Sequence, residues 1–399
     1  MSELKKRNFH EAQWDEAIIY EQSVPGSRGI LVPDVSEEAA KLTGDAASLM
    51  PASLKRKKKP DLPELAQPQV LRHFLRLSQE TIGQDLNVDI GLGTCTMKYS
   101  PKINEQFVRS RKFTEMHPYQ DDVTSQGVLK LIYDFEQIMK EISGLDAVSF
   151  QPGGGGQGIY ANAAVLKQYF RDRGEENQRT QIITTILSHP IDSAAPATKG
   201  FEVISLYPEA NGYPSIEALK AAVSEKTAGI FITNPEDTGV FNPIIREFVD
   251  IVHEAGGLCV CDMADYNGLF GIVRAKELGA DLCHFNLHKA FSSPHGCMGP
   301  GCAAQCVSAE LEKYLPRPRV RFDGEKYYTD YDSASSIGKV RQFHGSLAAV
   351  LRAYAWVMSL GKDGLKTVAE TAILNNNYMM KRMLTEVKGV SMSWAEEAP

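Results

Sequence analysis

His284-Phe285-Asn286-Leu287-His288-Lys289-Ala290-Phe291-Ser292-Ser293-Pro294-His295-Gly296 sets one lysine between an apolar-rich strand pattern, Ala280 to Leu287, and a loop of Ser, Pro, His and Gly. A lone lysine is more often a solvated surface charge. At a strand end, flanked by His and small polar residues, a partly desolvated amine attacks an aldehyde far better than a hydrated ammonium does. Such a place suits a carbonyl cofactor held as a Schiff base. Lys289 is therefore the candidate anchor for pyridoxal phosphate (PLP), and its weight depends on what precedes it.

Upstream of that stretch, from about residue 145, strand and helix patterns alternate. Strands read over Ala147–Phe150, Gln181–Leu187, Glu202–Leu206, Gly229–Thr233, Leu258–Asp262 and Asp281–Leu287. Helices read over Ile159–Phe170, Ser215–Val223 and Ile244–Ala255, with Gly153–Gly156 as a loop. This alternation predicts an α/β domain with a largely parallel sheet covered on both faces. Open α/β sheets bind ligands beyond the C-terminal ends of their strands.

Candidate groups fall at those ends. Gln151-Pro152-Gly153-Gly154-Gly155-Gly156-Gln157-Gly158 joins a strand to a helix and lets backbone N–H groups approach an anion. It is neither a P-loop nor a dinucleotide fingerprint. His189, in Ser188-His189-Pro190, is placed to stack on a planar ring and move protons. Asn234, in Thr233-Asn234-Pro235, is placed for a cofactor phenolic oxygen. Asp262 ends a strand, where a carboxylate can hold a protonated pyridine nitrogen. Each has an ordinary structural alternative: a flexible loop, a hydrogen-bonded histidine, a turn, a helix cap. Their order on successive strands is more specific than any one of them. The seven cysteines form no C-x-x-C pair, so they read as small buried apolar side chains with no metal site.

Composition bounds the rest. The 399 residues suffice for one large and one small domain. A net charge of -7 argues against nucleic acid or an anionic membrane surface as main partner. No apolar run approaches the roughly 20 residues that span a bilayer. The polar N-terminus lacks a signal-peptide core, and the odd cysteine count fits a reducing cytoplasm. Residues 1–70 read as an extended arm that wraps another surface, 71–340 as the large domain, and 341–399, strongly helical, as the start of a smaller one. The basic run Lys55-Arg56-Lys57-Lys58-Lys59 reads as a solvated linker, and Gln69–Gln79 as a helix with Val70, Phe74 and Leu77 on one face.

The chain resembles the glycine-cleavage-system P-protein family, in its form as a separate second, catalytic subunit. The resemblance rests on Ser23-Val24-Pro25-Gly26-Ser27-Arg28-Gly29, Gly93 to Glu105, His117-Pro118-Tyr119-Gln120, His253-Glu254-Ala255-Gly256-Gly257, Asn286-Leu287-His288-Lys289 and Ser293-Pro294-His295-Gly296. It implies a PLP-dependent transferase fold of type I, with a mostly parallel seven-stranded sheet and a C-terminal domain whose usual continuation is absent after Pro399. It implies PLP bound covalently on Lys289, His189 on the ring, Asp262 at the pyridine nitrogen, and phosphate contacts from Gly155, Gly156 and Gln157, with His288 beside the lysine. It implies release of CO2 from glycine and transfer of the aminomethyl group to a lipoylated H-protein. A first P-protein subunit would complete an α2β2 heterotetramer. The chain departs from the family pattern at Asp262-Met263-Ala264-Asp265, Ala290, Cys297-Met298 and Pro190-Ile191-Asp192-Ser193. Asp265 is expected to raise a neighbouring carboxyl's pKa by like-charge repulsion with Asp262. The departures keep open a divergent PLP enzyme acting on another amino acid or carrier, or a non-catalytic subunit.

Overall fold

The computed structural model describes residues 14–80, 100–293 and 301–394. The chain divides into two units, Met1–Gly83 and Gln84–Pro399. In the first, α1 (Glu37–Thr43) and α2 (Gln67–Glu80) are set in mostly irregular backbone. Its turn-rich sequence leaves apolar side chains outside: Ile30, Leu31 and Val32 are 73%, 73% and 80% exposed. On α2, Phe74 is exposed and the buried residue is His73, whose Nδ1 lies 2.9 Å from Glu16 Oε1 and from Gln22 Nε2.

The second unit runs α3 (Lys102–Val108), α4 (Arg111–Thr114), α5 (Gln126–Ser143), β1 (Ala147–Ser149), α6 (Gly155–Asp172), β2 (Gln181–Thr185), α7 (Ile191–Thr198) and β3 (Glu202–Leu206). It continues with α8 (Ile216–Ala222), β4 (Thr227–Thr233), α9 (Ile245–Glu254), β5 (Leu258–Asp262), β6 (Leu282–Asn286), β7 (Ala303–Val307), β8 (Arg319–Phe322), β9 (Tyr327–Asp330) and α10 (Leu347–Glu386). Seven strands form one sheet in the order β1-β7-β6-β5-β4-β2-β3. All neighbours are parallel except β7, which runs antiparallel to both β1 and β6. The path goes outward from β2 to β3 and then back past β2 to β4, β5 and β6. That reversal puts a switch point between β2 and β4, where open sheets leave a crevice.

Strand alternation divides the core. Ile230 and Ile232 of β4, Cys259 and Cys261 of β5, and Cys283 and Phe285 of β6 face one layer. Phe231, Val260 and Leu282 face the other, against Ile159, Val165 and Phe170. The cysteines described here are all buried and free. Helix α10 breaks at Gly361 (φ 62°, ψ -177°), within the strongly helical stretch read from the sequence. Its buried residues Val350, Ala353, Val357 and Leu365 join the same core as Phe285 and Phe291.

The strands Glu202–Leu206 and Leu258–Asp262 have the bounds read from the sequence. The glycine run differs, because α6 already begins at Gly155. Helices α5 and α7, strand β7 and the β8–β9 hairpin are additions to the pattern. Among the described residues no helix is long and apolar enough to cross a membrane. Among them no group of His, Cys, Asp and Glu is placed to hold a metal ion.

Candidate active site

The site lies at the C-terminal ends of β2, β4, β5 and β6. Two cavities meet there, of about 290 Å³ and 380 Å³. His189, Asp262, Ala264 and Lys289 line both, so the cavities adjoin at these residues. Gly154, Gly155, Gly156, Ile191, Asn286 and His288 complete the smaller cavity. Asn234, Glu236, Asp237, Met263 and Asp265 line the larger.

Lys289 leaves β6 through a tight turn, its N–H donating to the Asn286 carbonyl at 3.0 Å. It is buried, as is His288, whose Nδ1 sits 3.3 Å from the Cys302 carbonyl oxygen on the adjoining strand segment. His189 follows β2 and is half-buried. Its Nδ1 accepts the Ile191 N–H at 3.1 Å, which fixes the ring's orientation and leaves the proton on Nε2.

The N-terminus of α6 makes an anion cradle. Its first intrahelical bond is Gly158 N–H to the Gly154 carbonyl at 2.8 Å, so the N–H groups of Gly155, Gly156 and Gln157 have no partner inside the helix. Gly154 has φ 150°, a conformation side chains rarely adopt. A Cβ at 155 would come 2.9 Å from Asn286 Nδ2. Glycine thus keeps the backbone open to a phosphate at a close-packed point. The Gln157 side chain turns away: its Oε1 accepts the Gly153 N–H at 2.8 Å, and it lines a separate cleft beside Tyr160 and Lys199. Only its backbone faces the cradle's task.

Asp262, buried at the end of β5, accepts the Ala264 N–H at 2.8 Å and lies 3.3 Å from His284 Nε2. His284 is fully buried, and burial pulls its pKa down, so it stays neutral. Asn234 is tied to Asn242 through both amide atoms, accepting the Asn242 N–H at 2.9 Å and donating to its carbonyl at 3.3 Å. One Nδ2 hydrogen remains for a ligand.

Several acids here escaped the sequence reading. Burial pushes Glu236 up to about 7 and raises Asp237. The expected like-charge neighbour of Asp262, Asp265, is exposed. The buried one is Asp192, raised well above the usual carboxylate range first by burial and then by Asp262. Asp192 lies at the N-terminal end of α7, and the proximity exists only once that helix packs on β4. Of the family departures, Ile191 lines the smaller cavity, and Met263 and Asp265 the larger. Residues 93–99 and 294–300, with Cys297 and Met298, lie outside the described residues.

The residues fit PLP on the structure's own terms: a side-chain-free cradle, a buried carboxylate at a strand end, an oriented imidazole and a buried lysine. The sheet and site define a PLP-dependent enzyme of fold type I. The chain superposes on the glycine decarboxylase (P-protein) of the glycine cleavage system, solved with an inhibitor, with a TM-score of 0.71 over 92% of this chain and 85% of that one at 19% identity. It is also similar in fold to a sphingosine-1-phosphate lyase of Burkholderia pseudomallei, with a TM-score of 0.59 at 16% identity, covering 86% and 79% of the two chains.

Residues 40–321 match the family model for the glycine cleavage system P-protein. A probable glycine dehydrogenase (decarboxylating) subunit 2 of Pyrococcus abyssi is 42% identical over 377 residues, 94% of this chain and 73% of that protein. One of the same name from Halalkalibacterium halodurans is 39% identical, over 92% and 74% of the two chains. This chain belongs to the glycine cleavage system P-protein family.

Proposed function

We propose that this chain is the PLP-bearing subunit of a glycine decarboxylase. It releases CO2 from glycine and passes the aminomethyl group to the lipoyl arm of a carrier protein, the H-protein. The observation that carries this reading is a convergence: Lys289, His189 and Asp262 come from three separate strand ends and line both cavities. Family membership does not favour another amino acid or a non-catalytic role.

PLP, when bound, supplies the electron sink for the pair left behind by CO2. The chain does the rest. Lys289 Nζ would hold the cofactor's aldehyde carbon. Asp262 would hold a proton at the ring nitrogen, since a carboxylate there favours the charged ring. The N–H groups of Gly155, Gly156 and Gln157 would take the phosphate at the helix N-terminus. His189, oriented by the Ile191 N–H, would lie against the ring and present Nε2 for proton movement. Asn234 would give its remaining N–H to the phenolic oxygen, while His288 braces the lysine turn against Cys302. The larger cavity would admit glycine. Burial raises Glu236 to about 7, which lessens the negative charge an entering carboxylate meets.

A companion first subunit, two copies of each, completes the assembly in this reading. The "subunit 2" name of the relatives and the exposed Ile30, Leu31 and Val32 both support a partner surface. The decisive experiment is borohydride reduction of the PLP-loaded protein followed by peptide mass spectrometry. A pyridoxyl mass on the Lys289 peptide, and loss of both adduct and glycine–bicarbonate exchange in Lys289→Ala, is expected. An adduct elsewhere, or exchange surviving in that variant, overturns the assignment.

A further inference from the structure

Asp192 is fully buried at the start of α7. Its Oδ2 accepts the Thr233 hydroxyl at 2.8 Å, while its Oδ1, equally buried, has no donor. Thr233 Oγ1 itself accepts the His189 N–H at 3.4 Å, so its single proton is committed to Asp192. Thr233, which holds Asp192, is the β4 residue paired with Asp262 of β5, so the two buried carboxyls are close neighbours. The other titratable groups around this pair are Asp237 after β4, Cys283 and His284 on β6, His189 after β2 and Lys289 after β6. His284 is neutral, so it does not offset a second negative charge.

Two neighbouring carboxyls kept out of water do not both ionise readily; one proton is retained between them. We propose that Asp192 is a positioning residue: as a neutral acid it donates a hydrogen bond to the Asp262 carboxylate, fixing that group's orientation and its single negative charge toward the cofactor's ring nitrogen. The cofactor half of this statement rests on the reading of Lys289 and Asp262 given above; the shared proton does not. Burial and the Asp262 charge both raise the Asp192 pKa in the folded state. The folded protein therefore binds a proton that the unfolded chain releases near the ordinary Asp value, and stability is lost as pH rises toward the folded pKa. In Asp192→Asn the side-chain amide donates to Asp262 at every pH and keeps an oxygen for Thr233. In Asp192→Ala the donor is gone.

The test starts with cofactor-free protein. Thermal midpoints of wild type and Asp192→Asn are compared from pH 5 to pH 9. The variant is expected to gain on the wild type steadily as pH rises; a difference that stays constant with pH overturns the shared proton. Equilibrium dialysis of PLP at neutral pH then reads the positioning. Asp192→Asn is expected to bind within about threefold of wild type, and Asp192→Ala about tenfold or more weaker, as for loss of a hydrogen bond to a charged group. Thr233→Val, which leaves the charges in place, controls for general damage to α7. Unchanged PLP affinity in Asp192→Ala overturns the positioning role. A wild type that forms no pyridoxyl adduct at all would sink the underlying cofactor reading and leave the cofactor-free titration standing.

Discussion

Gly158 lies so close to His284 that a Cβ at 158 would fall 2.7 Å from the imidazole Cδ2. The first turn of α6 therefore rests directly on the histidine that backs Asp262. Gly158→Ala is expected to push helix and ring apart, at about 1–3 kcal/mol of stability, the usual range for overpacking a tight site. Urea denaturation of the variant measures this; an unchanged midpoint would show that the contact has room to relax.

The phosphate cradle is tested one turn earlier. Gly155→Ala places a methyl against Asn286 Nδ2, where only 2.9 Å is available. PLP affinity is expected to fall by about tenfold or more, with smaller loss of cofactor-free stability, because the cradle's N–H groups are displaced. Dialysis against PLP alongside a thermal melt separates the two.

Glu236 provides a pH signature of its own. Its Oε1 accepts the Thr185 hydroxyl at 2.5 Å, its Oε2 is buried without a donor, and burial raises its pKa to about 7. A raised folded pKa means stability that is full below the unfolded value and is lost as pH rises through about 7. Glu236→Gln removes that slope. Over the range from pH 5 to 8 it is expected to gain on the wild type by on the order of 3 kcal/mol at most. Denaturant midpoints at several pH values check the trend, and parallel profiles would contradict it.

Far from the site, Arg319 donates to Glu136, with side chains only 2% and 6% exposed, and also pairs with Glu312 at 2.7 Å. Removing one partner of a buried pair strands the other's charge. Glu136→Ala is expected to cost about 3–5 kcal/mol. Glu312→Ala, at a more open position, is expected to cost clearly less. Equal losses in the two variants would show that burial does not set the value of this network.

The parallel strands were legible because a sheet covered on both faces writes continuous apolar runs, as in Leu258–Val260 and Gly229–Ile232. Strand β7, Ala-Ala-Gln-Cys-Val, is made mostly of small residues around one glutamine, and its place between β1 and β6 follows from pairing that leaves no periodic mark. Helix α7 hides behind Pro190 and Pro196. Lys289, His189 and Asp262 stood out by their positions at strand ends. Asp192 did not, because its meaning depends on being buried against Asp262, and burial of an acid is decided by the packing of α7. The same holds for Gln157, whose side chain caps Gly153 instead of facing the cavity.

The four residues shared by the two cavities carry an evolutionary constraint. Any substitution at His189, Asp262, Ala264 or Lys289 is felt in both chambers at once, by what stays bound and by what passes through. Change that spares one chamber has to be made on the far walls. Ile191 on one side and Met263 and Asp265 on the other are such positions, and they are among those that the sequence reading set apart from the family resemblance.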